Sequence, residues 1–229
     1  MNILLLILAI FPSIGLLLYA KNKSNYTTQP ISLLVKYLLF GSLTIIPIYI
    51  LETVFDVACL RIIDTYEVYA FVNAFFCAGA IEELFKLTVL YVLTIKYDKY
   101  FKALYDGIIY SICVALGYSI LEDLLYIFIY YGGDLSTALL RAVTPGHFCF
   151  SIFMGILFSE AKKYEKSNKK QFHKYIGLSF AVPMLIHGLY DYCIGMGGSF
   201  LLVFVVLLIF LYVYAFRNIK NKSKDIYFI

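Results

Sequence analysis

Residues 200–216 read Phe-Leu-Leu-Val-Phe-Val-Val-Leu-Leu-Ile-Phe-Leu-Tyr-Val-Tyr-Ala-Phe, a run with no charged side chain and no amide. A helix that is apolar on every face is a core helix of a large protein or a membrane span, and a span takes about 20 such residues. Outward from this run, six more predominantly apolar runs precede it. The predicted spans are 2–20, 31–51, 68–95, 104–131, 137–160, 174–195 and 198–217. The third and fourth are long, which predicts tilt or an interfacial turn. The whole chain of 229 residues is 62% hydrophobic and 15% charged. A soluble domain averages roughly 45–50% apolar and ~25% charged. Surface-to-volume scaling leaves a soluble fold of this size no means of hiding so much apolar surface. A soluble globular domain, a disordered chain and a nucleic-acid partner are thereby excluded. The expected fold class is all-α: a polytopic transmembrane bundle of seven spans forming a single integral domain over residues 1–229, with the lipid bilayer as its solvent.

The basic residues alternate between connections. Lys21 and Lys23 follow the first run, and Lys96, Lys99 and Lys102 follow the third. Lys162, Lys163, Lys166, Lys169, Lys170 and Lys174 follow the fifth, and Arg217, Lys220, Lys222 and Lys224 follow the seventh. The second connection holds only Arg61, beside Glu52, Asp56, Asp64 and Glu67; the fourth holds only Asp134. The positive-inside rule then predicts an extracytoplasmic N-terminus and a cytoplasmic C-terminus. The first run lacks the preceding positive charge of a signal peptide and reads as an anchor helix. The five cysteines form no CxxC; Cys59 falls in the second connection, and the other four read as small apolar residues inside spans.

A few polar groups are left inside the spans: Glu82, Glu83, Lys86, Glu122, Asp123, Arg141, His147, His187 and Asp191, with Asp106 near one helix end and Lys36 able to snorkel. A charge at the bilayer centre costs about 2.5–3.5 kcal/mol even on lenient insertion scales, so such groups face one another and mark function. Glu82 and Lys86 are spaced i,i+4, Glu83 and Lys86 i,i+3, and His187 and Asp191 i,i+4, so each pair shares a helix face. Glu82, Glu83, Glu122, His147, His187 and Asp191, on four predicted helices, lie between the predicted midplane and the outer face, which favours one shared site. Cys77-Ala78-Gly79-Ala80 permits close helix approach ahead of the glutamates. Thr144-Pro145-Gly146-His147 breaks a helix, and its freed carbonyls need partners.

Two adjacent glutamates beside a lysine suit general-base activation of water: Lys86 keeps one carboxylate charged, and the other takes the proton. His147 or His187 would donate to an oxyanion or a leaving amine, with Asp191 orienting His187. His147, His187, Glu122 and Asp191 are equally suited to a divalent metal such as zinc, and the residues alone leave both options open. Buried acids and histidines also serve proton-coupled transporters, although inverted repeats and paired broken helices are absent from the pattern. The roles of Asp106 and Asp123 are not assigned by spacing.

HExxH, Gly-x-Ser-Gly and Gly-x-Gly-Asp are all missing. The motifs present, in order on successive predicted helices, are Glu82-Glu83-Leu84-Phe85-Lys86 (EExxK), Tyr118-Ser119-Ile120-Leu121-Glu122 (FxxxE with Tyr for Phe), Pro145-Gly146-His147, and His187-Gly188-Leu189-Tyr190-Asp191 (HxxxD). This set, over roughly 75–200, resembles the PrsW family of intramembrane proteases, distant relatives of the CAAX-type prenyl endopeptidases. The resemblance implies a catalytic core in that range and cleavage of a membrane-spanning protein near the extracytoplasmic side. It further implies site-1 cleavage of a single-span anti-sigma factor, by chemistry that is either metal- or glutamate-dependent. Carried over, Glu82 and Glu83 are the water-activating pair, Glu83 the primary base, and Glu122, His147, His187 and Asp191 complete the site with Lys86. The wealth of Lys, Ile, Tyr and Asn fits a low-GC bacterium and hence a bacterial cytoplasmic membrane.

Overall fold

A computed structural model describes residues 2–23 and 29–224. Among the described residues, seven long helices follow one another: α1 (Ile3–Lys23), α2 (Ile31–Ile62), α3 (66–96), α4 (Leu104–Tyr130), α5 (Leu135–Tyr164), α6 (Lys169–Met196) and α7 (Phe200–Lys222). The all-α architecture expected from the apolar runs is the one the chain adopts. By length and composition, α1, α2, α4, α5 and α7 are able to cross a membrane. α3 carries Glu82, Glu83 and Lys86, and α6 opens on Lys169, Lys170 and Lys174, charges that lower the hydropathy of both.

α2 departs from its predicted end at residue 51. It continues to Ile62, so Glu52, Asp56 and Cys59 lie on a helix instead of in a connection. The acids do not end the helix because they turn toward α3. Asp56 accepts hydrogen bonds from Asn73 Nδ2, at 3.0 Å, and from the Tyr69 hydroxyl. Cys59 is buried, and all five cysteines are free thiols. α5 breaks where its Pro-Gly pair predicts, into a short arm (Leu135–Val143) and a long arm (Gly146–Tyr164). The carbonyls freed by the break find partners: the hydroxyls of Tyr212 and Tyr190 donate to Val143 O and Thr144 O at 2.6 and 2.9 Å. Asp134 caps the short arm. Hydrogen bonds from Ser136 and Thr137 hold its carboxyl down at about 2, so the cap stays charged well into acid.

α4 is the axis of the bundle. Every side chain from Leu104 to Ser119 is buried, and α1, α2, α3 and α5 pack around it. Tyr37 of α2 stacks on Tyr110 of α4, centroids 4.3 Å apart, and shares a 3.1 Å hydrogen bond with Thr94 of α3. Asp106 has a structural task at the start of α4. It accepts from the backbone N–H groups of Lys102 and Ala103 at 2.6 and 2.8 Å, satisfying donors a helix start leaves open. The lysine-rich connections meet at one end of the bundle, where Lys162 Nζ pairs with Asp98 at 2.7 Å and Lys36 Nζ reaches the Tyr97 hydroxyl at 3.1 Å. At the other end the Tyr66 hydroxyl donates to Gly195 O at 2.7 Å. The outer faces are apolar, as lipid requires: Leu202 of α7 is 72% exposed and Val206 62%.

α2 crosses α4 in backbone contact. A Cβ built on Gly117 would lie 2.0 Å from Leu38 O, and Ser42 Oγ donates to Gly117 O at 2.9 Å. Such contacts depend on the smallest residue, since packing of backbones replaces the hydrophobic drive that lipid removes. Gly117→Val is therefore expected to push the helices apart and to cost about 1–3 kcal/mol or more, read as a lowered thermal midpoint in detergent.

Candidate active site

The site is assembled where α3 meets α6. Residues Asn73–Gly79 of α3 form a π-helical turn, and Ala80–Lys96 resumes the α-helix. Such wide turns commonly sit at functional sites, because the added residue re-aims the side chains beyond it. Here the re-aimed residues are Glu82, Glu83 and Lys86. Gly188 permits the meeting of the helices: a Cβ on it would stand 2.5 Å from the Phe75 ring. With the backbones this close, Glu83 faces His187.

Lys86 is the centre. Its Nζ lies 2.9 Å from Glu82 Oε2, 2.9 Å from Glu83 Oε1 and 3.0 Å from His147 Nδ1. Glu82, Glu83 and Lys86 are 3%, 1% and 1% exposed. An ammonium group only donates, so His147 Nδ1 accepts and the ring proton sits on Nε2. That Nε2–H donates to Glu122 Oε2 at 2.8 Å. Glu122 Oε2 also takes the guanidinium of Arg141, whose other arm holds Asp123. His187 is clasped by acids on both sides, Glu83 Oε1 at 3.1 Å from Nδ1 and Asp191 Oδ2 at 3.1 Å from Nε2. Its ring stacks on Phe150, with centroids 4.7 Å apart, and stands 5.2 Å from the His147 ring. Tyr118, where the motif has Phe, packs its ring under Lys86 Nζ, 4.5 Å from the centroid.

The seven predicted site residues, Glu82, Glu83, Lys86, Glu122, His147, His187 and Asp191, thus lie in one connected network. Their grouping differs from the ligand set suggested by sequence. Glu82, Glu83, His147 and His187 offer donor atoms all within 4.8 Å of one another. Glu122 stands behind His147, on the ring nitrogen opposite Lys86, and Asp191 behind His187, on the ring nitrogen opposite Glu83. The HxxxD spacing explains Asp191, since a residue one turn along the same helix reaches the side of the ring and not its front. The four inner donors are nitrogen and oxygen ligands of the kind zinc takes. Lys86 Nζ occupies their midst, bonded to three of them.

Three participants are not singled out by spacing. Asp123 and Arg141 form the outer ion pairs of the network. An arginine six residues before His147 in an apolar stretch is the signal that an acid partner lies near. Glu52, on the part of α2 predicted to be a connection, has a buried Oε1 with no hydrogen-bond partner. No local pattern marks it.

Paired carboxylates, a buried ammonium and two imidazoles among membrane-type helices have the groups that activation of water inside a membrane would need. Comparison with known proteins gives the class. The family described as PrsW family intramembrane metalloprotease matches residues 29–216. The chain belongs to the PrsW family of intramembrane proteases and is a peptide hydrolase. It is 33% identical over 183 residues to Protease PrsW of Geobacillus kaustophilus, covering 79% of this chain and 75% of that protein. It is 30% identical to Protease PrsW of Clostridioides difficile, covering 100% and 96%. For Protease PrsW of Bacillus subtilis the identity is 27%, covering 93% and 92%. No solved structure matches the chain.

Removing Lys86 strands two carboxylates in an apolar interior. Lys86→Met is expected to cost about 3–5 kcal/mol, the scale for breaking a buried pair from one side. Lys86→Met combined with Glu82→Gln and Glu83→Gln is expected to recover most of that loss. Unfolding in detergent, compared across the two variants, checks it.

Proposed function

We propose that this protease cuts a single-span anti-sigma factor near the extracytoplasmic face of a bacterial cytoplasmic membrane, with Glu83 as the base that activates water. The observation that carries this reading is the convergence of Glu82, Glu83, Lys86, His147 and His187 in one buried cluster. Glu83 takes a proton from water as the water oxygen attacks the scissile carbonyl. Lys86 holds both carboxylates in place and balances their charge. His187, steadied by Asp191 at Nε2, turns its Nδ1–H from Glu83, now protonated, to the developing oxyanion; a single such donor is worth about 10²–10³ in rate. The proton held by Glu83 passes to the amine as the C–N bond breaks. General-base catalysis of this kind contributes about 10²–10⁴.

Placement comes from charge. With the lysine-rich connections cytoplasmic, the N-terminus is outside, the seven helices all span, and the cluster falls in the outer half of the bundle. A cut there is a site-1 cut, which releases the extracytoplasmic portion of a single-span substrate. The anti-sigma factor is the substrate that the family resemblance implies.

Metal-dependent chemistry is the second form of the same reading, favoured by the donor set itself. Glu82, Glu83, His147 and His187 would hold a divalent ion such as zinc, which supplies an activated water and a Lewis acid. Lys86 would then withdraw from the donors it now bonds.

Glu83→Gln is expected to leave the protein folded and to reduce cleavage of a co-expressed anti-sigma factor reporter by at least about 10². Cleavage at the wild-type level would remove the proposal. Exhaustive chelation separates the two forms. Loss of activity, restored by zinc, assigns the water to a metal. Activity that survives with no metal detected by elemental analysis assigns it to the glutamates alone.

A further inference from the structure

We infer that Arg141 is a positioning residue for His147, acting through Glu122; the catalytic part of this inference rests on the protease reading above. Arg141 lies in the last turn of the short arm of α5, just before the break at Thr144–Pro145. Its Nη2 holds Glu122 Oε2 and its Nε holds Asp123 Oδ1. The Tyr126 ring lies under the guanidinium, 4.3 Å from its carbon to the centroid. The same Glu122 oxygen accepts from His147 Nε2 at 2.8 Å. On the far side of the ring, His147 Nδ1 meets Lys86 Nζ at 3.0 Å and stands 3.8 Å from Glu82 Oε2.

Two contacts set the ring's tautomer, Lys86 at Nδ1 and Glu122 at Nε2, and Arg141 governs the second. Glu122 and Asp123 are adjacent in sequence and share one small region. Without a counter-charge, two carboxylates there repel each other, and Glu122 has no reason to keep the oxygen that His147 uses. A planar fork with two donor arms answers both acids at once and fixes the direction of each. Glu122, so held, keeps the His147 proton on Nε2. The bare Nδ1 is then the atom turned to Lys86 and the glutamate pair. The other tautomer would aim an N–H at an ammonium group, two donors facing each other.

Arg141 is also the polar tie between the short arm and the site. That arm buries only Ala138, in a small cluster with Leu5, Ala9 and Ile127, while Leu140 and Val143 are 55% and 60% exposed. Together with the Tyr212 and Tyr190 hydroxyls on Val143 O and Thr144 O, Arg141 fixes where the chain enters the break that leads to His147.

The experiment compares Arg141→Gln, Arg141→Lys and Asp123→Asn with wild type in detergent micelles. Two quantities are read: cleavage of a fluorogenic peptide carrying one apolar span, and the ¹⁵N resonances of histidine-labelled protein. Wild type is expected to show His147 protonated at Nε2 only. Arg141→Gln is expected to lower kcat by about tenfold or more with KM changed less than about twofold, and to show a mixture of His147 tautomers. Arg141→Lys, with one ammonium for two acids, is expected to fall between. Asp123→Asn, which leaves the Glu122 contact in place, is expected to keep the Nε2–H signal and at least about a third of wild-type kcat. A kcat within about twofold of wild type in Arg141→Gln overturns the inference. So does a loss of thermal stability with the His147 resonances unchanged, which marks a purely structural arginine. If Arg141→Gln does not fold, Arg141→Lys decides by the same signals: a lowered kcat with His147 still wholly Nε2–H overturns it. The NMR arm is independent of proteolysis. A wild-type protein that cuts nothing, yet loses its His147 tautomer on Arg141→Gln, fails the protease reading and keeps this one.

Discussion

One buried ammonium organises the structure. Lys86 sits among two carboxylates and an imidazole with almost no exposure. An ion removed from water loses several kcal/mol of hydration, and only close, well-directed partners offset that loss. The partners continue outward in a chain of contacts: Asp191, His187, Glu83, Lys86, His147, Glu122, Arg141, Asp123. Acidic groups alternate with nitrogen bases along it, the lysine and His147 meeting as donor and acceptor. Each member is satisfied because the next is in place. Such networks hold their geometry as a unit, and partial loss of one is costly.

The fold can be understood as the means of bringing those partners within reach. They come from α3, α4, α5 and α6, so four helices must meet at one level. Gly188 lets α6 close on α3, and Gly117 lets α4 close on α2. The π-helical turn before Glu82 sets the angle at which the glutamates enter. The break in α5 turns His147 inward, and two tyrosine hydroxyls from α6 and α7 take up the carbonyls that the break exposes. Elsewhere the helices are joined mainly by apolar packing with single hydrogen bonds such as Tyr37–Thr94 and Ser42–Gly117 O, and their outer faces stay greasy. The buried acid–base network is concentrated in one place because ions away from water need close partners.

Much of the site is legible in the sequence because its pairs are local. Glu82, Glu83 and Lys86 lie within a turn of one another, as do His187 and Asp191, and helical periodicity alone makes them neighbours. His147 stands out because it comes after a Pro-Gly break in an apolar run. Arg141 and Asp123 are visible only as charges without partners, since the pair joins two helices and no spacing rule spans that distance. Glu52 reads locally as part of a connection. Its helix runs on because neighbouring α3 supplies Tyr69 and Asn73 for Asp56, and a tertiary partner of that kind leaves no mark on the local pattern. Asp106 looks like a further intramembrane acid in the sequence, yet its carboxylate caps the start of α4.

By itself the sequence determined the all-helical class, the number of apolar runs, and the short roster of polar residues that a membrane would not admit without reason. These come from composition and from period, which are properties of the chain taken one segment at a time. Tertiary structure decided which donors face inward and which stand behind. It put Glu82 and Glu83 with the two histidines at the centre, moved Glu122 and Asp191 to the far sides of the rings, and gave Arg141 its two acids. The physical reason is that hydrogen bonds and ion pairs have directions. Direction is set only when helices distant in sequence fix the angle from which each side chain arrives.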